Sequence, residues 1–238
     1  MIFIRSLIFS LLQLLITPVF TLLAIFSFPF HPITRYRIIS GWALSVLWLL
    51  RVLCGIRMEV RGAENIPAKP AILLCKHQSA WETIALQKVF PPQVWVLKRE
   101  LLWLPFFGWG LAMTSPIAIK RSDGKGAVKQ LLRQGKERLE MGFCVVIFPE
   151  GTRIPYGKRG KYKIGGALLS ASTGVPVVPI AHNAGKLWGR NSFMKHPGVI
   201  TMSIGAAIDP AGLKADEINR RAEEWIEAEV VRIRNAPR

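Results

Sequence analysis

His77 and Glu82 stand five residues apart in "CKHQSAWETIA", the stretch from Cys75 to Ala85 that follows a short apolar run. A histidine beside a carboxylate has a definite chemical use: the acid fixes the imidazole tautomer and supports the positive charge that develops when the other ring nitrogen takes a proton. On one continuous helix, residues five apart are turned by about 140° and would not meet. They meet if His77 lies on an incoming loop and a helix starts at Ser79 or its neighbour, bringing Glu82 back toward the ring. The chain has no G-x-S-x-G nucleophile elbow, so the base is matched to a hydroxyl carried by a substrate. A histidine can also sit in such a place for packing alone, and other residues decide between the two readings.

A second polar cluster, "FPEGTR", follows another apolar run. Gly151 would let backbone amides approach a ligand, Thr152 can donate a hydrogen bond, and Arg153 offers a planar fork matched to a phosphate. Glu150 would repel that phosphate unless it holds the arginine or binds a hydroxyl. Downstream, "RIPYGKRGKYK" carries Arg153, Lys158, Arg159, Lys161 and Lys163 with no acid, which suits either a solvated loop or the landing of an anionic group.

The elements that must position these residues are legible as alternating patterns. "AILLC" (Ala71 to Cys75), "VWVLK" (Val94 to Lys98), "PIAIK" (Pro116 to Lys120), "FCVVIF" (Phe143 to Phe148) and "VPVVPIA" (Val175 to Ala181) are short β-rich runs. Between and after them, "GKGAVKQLLRQGKERLEMG" and "DEINRRAEEWIEAEVVRIR" have helical periodicity, the second with acids early and arginines late as a helix dipole favours. The fold class expected is α/β: a central mixed, mostly buried β-sheet flanked by helices and preceded by an N-terminal hydrophobic helical hairpin. His77 and the Glu150 to Arg153 cluster both fall just past strand ends, where ligands bind in such sheets.

The front of the chain sets the division expected: residues 1–56 as membrane-attachment helices and 57–238 as the catalytic domain. From Leu7 to Phe30 there is no charge over 24 residues, enough to cross a bilayer, although Pro18 in the middle favours a kink or break. The next run, Ile38 to Leu50, is 13 residues long, which reads as an interfacial or re-entrant helix. The expectation is therefore a hairpin embedded in one leaflet. The charges of this region, Arg5, Arg35, Arg37, Arg51 and Arg57, are all arginine, which suits anionic headgroups on the cytoplasmic side.

Composition narrows the function class. Lys and Arg number 32 against 15 Asp and Glu, a formal charge of +17, while half of all residues are hydrophobic and the mean hydropathy is +0.29. A nucleic-acid binder is usually basic without being this apolar, so a phospholipid membrane is the expected partner and nucleic acid is not. Three cysteines with no C-x-x-C pair imply neither a disulfide framework nor a zinc site, and no metal is expected.

Taken in order and spacing, "KHQSAWE", "LKRELLWLPFFGWGL", "PIAIKR", "FPEGTR" and "VPVVPIA" resemble the blocks of the glycerolipid acyltransferase family, in particular its bacterial 1-acyl-glycerol-3-phosphate acyltransferases. The resemblance spans roughly Gly55 to Gly205. It implies that His77 is the general base that deprotonates the sn-2 hydroxyl of lysophosphatidic acid, with Glu82 orienting it. It implies a phosphate site made by Arg153 with Glu150, Gly151 and Thr152, assisted by Arg121, and a developing oxyanion stabilised by Lys98. Val175 and Pro176 would shape the pocket or acyl channel, and His182 and His196 would be structural or surface residues. The acyl donor would be a thioester co-substrate, acyl-CoA or acyl carrier protein, with no bound cofactor, at the bacterial inner (cytoplasmic) membrane. An acyltransferase for another acceptor, a lysophospholipid with a headgroup or a lyso-ornithine lipid, fits the same blocks. The chain departs from the family in having Glu82 where aspartate is usual and Lys76 where asparagine is frequent.

Overall fold

The structure, a computed structural model, describes residues 1–90 and 92–236, with the backbone alone for Arg121. Two long helices open the chain, α1 (Ile2–Phe26) and α2 (Pro32–Cys54). Both are long and apolar enough to cross a membrane. Pro18 does not break α1. The hydroxyls of Thr17 and Thr21 bond to carbonyls one turn back, at Gln13 (2.7 Å) and Thr17 (2.9 Å), on either side of the proline. α2 runs well beyond the 13-residue apolar stretch because it takes in Arg35, Arg37 and Arg51. It starts at Pro32, whose fixed φ suits a first helical position, and ends at Gly55 in the left-handed region at φ 68°.

Behind the hairpin lies a seven-stranded sheet in the order β1-β7-β6-β2-β5-β3-β4. The strands are β1 (Ile56–Arg61), β2 (Ile72–Cys75), β3 (Gln93–Lys98), β4 (Ile117–Ile119), β5 (Cys144–Ile147), β6 (Val177–His182) and β7 (Gly198–Ile204). All neighbouring pairs are parallel except β6 with β7. The sheet is thus mixed, as the sequence indicates. β2, β5 and β6 are buried along their whole length, as expected of central strands covered on both faces. The five strands expected from sequence all form; β1 and β7 are additional.

Helices cover the sheet: α3 (Trp81–Val89), α4 (Phe107–Ala112), α5 (Lys125–Glu140), α6 (Gly165–Thr173), α7 (Ala184–Leu187) and α8 (Ala215–Asn235). One continuous core joins hairpin and sheet, reaching from Phe9 and Tyr36 through Leu73, Val146 and Ile180 to Ile226. Polar ties reinforce it. Ser6 on α1 accepts from the backbone N–H of Lys195 at 3.0 Å, and the Lys195 ammonium lies over the rings of Phe9, Trp188 and Phe193 at 5.0–5.1 Å.

Candidate active site

β2 and β5 run side by side and parallel, so the chain leaves both at the same edge of the sheet. β2 delivers His77 there and β5 delivers Glu150 to Arg153. The two loops are stitched together: the N–H of His77 donates to Oε2 of Glu150 at 3.0 Å, and the N–H of Ile154 donates to the His77 carbonyl at 2.7 Å.

The five-residue spacing works as a loop followed by a helix start. Two bonds set the turn into α3: Ser79 Oγ accepts from the Trp81 N–H (3.1 Å), and the Glu82 carboxylate accepts from the Ser79 N–H (2.8 Å). This turns Glu82 back into the loop, where it also accepts from the Gln78 N–H (2.9 Å) and meets Nδ1 of His77 at 2.8 Å. Glu82 is fully buried. Burial alone would raise its carboxyl, but the His182 imidazole, the hydrogen bond from His77 and the Ser79 N–H outweigh it and hold the group below the usual carboxylate range. A carboxylate on Nδ1 places the proton there and leaves Nε2 as the basic nitrogen. The ring is held flat against Phe148, with centroids 4.0 Å apart.

His77 and Arg153 both line a cavity of about 370 Å³, otherwise walled largely by apolar side chains from several elements. Phe20 and Thr21 of α1, Trp42 of α2, Ile84 of α3, Leu97 of β3 and Leu111 of α4 contribute. Its size is that of a small-molecule site. Nε of Arg153 is buried without a hydrogen-bond partner among the described residues, and no carboxylate there forms an ion pair with it. A guanidinium left unpaired at a cavity wall is equipped to take an anion. Gly151 adopts φ 67°, and a side chain there would press on the Lys163 ammonium, so the turn that carries Arg153 requires glycine. Thr152 is exposed at this turn.

The family model described as Acyltransferase matches residues 57–183. The chain belongs to the acyltransferase family. It is 50% identical over 228 residues to a 1-acyl-sn-glycerol-3-phosphate acyltransferase of Pseudomonas aeruginosa, covering 94% of this chain and 89% of that one. It is 29% identical over 206 residues to 1-acyl-sn-glycerol-3-phosphate acyltransferase alpha of Bos taurus, covering 84% and 71%. Its fold matches the crystal structure of the 1-acyl-sn-glycerophosphate (LPA) acyltransferase of Thermotoga maritima with a TM-score of 0.82 over the full length of both, at 22% identity.

Other expected residues of this acyltransferase fall differently. Glu150 does not hold Arg153: one oxygen binds the Lys76 ammonium at 2.6 Å and the other the His77 N–H, so its role is to set the loop that carries His77. Burial lifts its carboxyl above the usual range against the pull of Lys76. Lys98 is half exposed, 3.6 Å from Glu100, and is not part of the cavity wall. The Arg121 side chain lies outside what the structure describes. Val175 and Pro176 precede β6 at the end opposite His182 and stand away from the cavity.

Two parts of the site were not expected. His182, at the end of β6, is fully buried behind the pair. Its Nδ1 accepts from the Ala184 N–H (3.2 Å), so Nε2 carries the proton and donates to the Lys76 carbonyl (2.8 Å). Burial lowers its pKa, more strongly than Glu82 raises it. Lys76 is also fully buried and binds Glu227 of α8 at 2.7 Å as well as Glu150; Tyr162 donates to the same Glu227 oxygen at 2.9 Å. A lysine directly after a buried strand was the available signal for this cluster. Nothing local marks Glu227 among the many acids of α8.

Proposed function

We propose that this protein moves an acyl group from a thioester, carried by coenzyme A or acyl carrier protein, to the sn-2 hydroxyl of 1-acyl-glycerol-3-phosphate, giving phosphatidic acid. His77 Nε2 takes the hydroxyl proton as the oxygen attacks the thioester carbonyl, and the Glu82 carboxylate steadies the imidazolium that results. Collapse of the tetrahedral intermediate breaks the C–S bond, and the imidazolium returns its proton to the departing sulfur. Arg153 binds the acceptor's phosphate, with Gly151 and Thr152 shaping the turn, and so fixes the hydroxyl near the base. The reaction as drawn uses no resident metal or cofactor.

The observation that carries this reading is the meeting of a carboxylate-backed imidazole and an unpaired guanidinium on the wall of one apolar cavity. A lysolipid with a terminal phosphate has the same pattern of anion, alcohol and hydrocarbon. The named activity of the Pseudomonas and bovine relatives points to the same acceptor. The hairpin then keeps the protein at the lipid surface. Its charges, all arginine, and the free, buried cysteines suit the cytoplasmic face of the inner membrane.

The test is acyl transfer by membranes containing the full chain, with matched acceptors bearing a phosphate, a phosphocholine or an ornithine headgroup and with both thioester donors. His77→Ala should lower turnover about 10²- to 10⁴-fold, the usual worth of a positioned base, with folding intact; retention of more than a few per cent of activity excludes the base role. Arg153→Ala should act chiefly on the KM for the phosphate acceptor, by about tenfold or more if it removes a charge-assisted hydrogen bond. An unchanged KM excludes the phosphate anchor.

A further inference from the structure

The segment that leaves β3 and runs into the first turn of α4 exposes large apolar side chains in close succession: Trp103 (78% exposed), Leu104, Phe106, Phe107 and Trp109. Patches of this kind on a folded surface mark an interaction site. The segment is built rigidly. Phe106 is held at φ 59°, ψ −64°, a costly conformation for a residue with a side chain, and its carbonyl accepts from Thr21 Oγ1 of α1 at 2.9 Å. Gly108 packs so close to the Leu101 and Leu102 carbonyls that a Cβ would lie 2.6 Å from each oxygen. The fold thus maintains a strained knuckle whose apolar side chains point outward.

We propose that the segment from Leu101 to Trp109 is a third membrane-embedding element, separate from the two N-terminal helices, with its tip among lipid acyl chains. Continuity selects lipid as the occupant. The knuckle is anchored to the half of α1 that exposes Val19, Leu22 and Phe26, and α1 is apolar enough to lie in a bilayer. Charge agrees: Lys98 and Arg99 directly precede it and are exposed, with Glu100 the one acid among them, which places cations at headgroup level when the aromatics are buried. Leu101 and Phe107 also line the cavity, so a lysolipid tail could pass from the bilayer to the site along this segment. That purpose rests on the acceptor being a lipid; the embedding itself does not.

Insertion is read with the full chain carrying Trp103→Cys, labelled with a maleimide fluorophore, in vesicles of phosphatidylcholine and phosphatidylglycerol. Cys54, Cys75 and Cys144 are buried and do not compete. Brominated lipid should quench the label while aqueous iodide does so several-fold less than at Glu64→Cys, an exposed control. Equal iodide quenching at the two sites, or shielding of 103 by cross-linking to a second copy with no quenching by brominated lipid, overturns the proposal. A second arm uses Trp103→Ser with Leu104→Ser, which touch neither the cavity nor the pair. The KM for vesicle-borne lysophosphatidic acid should rise several-fold while that for a short-chain, monomeric form stays unchanged. An equal change for both forms, or none for either, removes the passage role. Were neither form acylated even by the unaltered protein, the acceptor assignment would fail and the quenching result would stand.

Discussion

A buried carboxylate that accepts from two backbone N–H groups and an imidazole has little freedom left, and that is how Glu82 serves where a shorter acid would be usual. The longer side chain is accommodated because it folds back onto the loop, where the Gln78 and Ser79 N–H groups hold it. Glu82→Gln keeps the shape but removes the charge facing the imidazolium. Turnover should fall about 10- to 100-fold, the worth of one charge-assisted hydrogen bond, with acceptor KM little changed; single-turnover kinetics would separate the two. His182 gives a signature in stability. Its folded-state pKa is lowered by burial, whereas the unfolded chain would take up a proton near pH 6.5. Below that value the unfolded state binds a proton that the folded state refuses, so stability should drop as pH falls from about 7 to 5. His182→Gln, which can still donate to the Lys76 carbonyl, should flatten this slope in denaturant titrations carried out in detergent. Glu82 acts lower: with its folded-state pKa depressed, its contribution is full above about pH 4.3 and is lost as pH falls through its folded value.

At the scale of elements, the site is three strand ends and one helix start, tied to a distant helix by Lys76. The ammonium sits between Glu150 on the His77 loop and Glu227 on α8. Lys76→Met would leave two carboxylates without their cation, and breaking a buried pair this way costs about 3–5 kcal/mol. Pairing it with Glu227→Gln should recover part of that loss in a double-mutant cycle of unfolding free energies; strict additivity would show that α8 is not coupled to the loop. These elements were unequally legible in the sequence. β2, β5 and β6 stood out because strands buried on both faces read as unbroken apolar runs. β1, "IRMEVR", alternates charge with apolar residues and lies at the sheet edge, so it read as a boundary. α2 seemed short because its arginines interrupt the run while its backbone continues. His77, Glu82 and Arg153 could be chosen from residue type and position after strands, but the engagement of Glu150 by Lys76 depends on a partner 74 residues away.

For the whole molecule, attachment through apolar side chains differs in kind from attachment through charge. The exposed faces of α1 and the knuckle carry many large hydrophobics, and apolar insertion is not weakened by screening. Most of the protein should therefore sediment with vesicles in about 1 M salt, where the Debye length is about 3 Å. Release of the greater part would mean that the +17 charge dominates. The placement of Gln13, Thr17, Phe20 and Thr21 in the cavity wall bears on any attempt to obtain a water-soluble version. Trimming away the first helix would do more than loosen a tether: it would take out one side of the chamber and let solvent reach the imidazole. A shortened chain that folded well would still be expected to be a poor enzyme, with its reaction vessel left open.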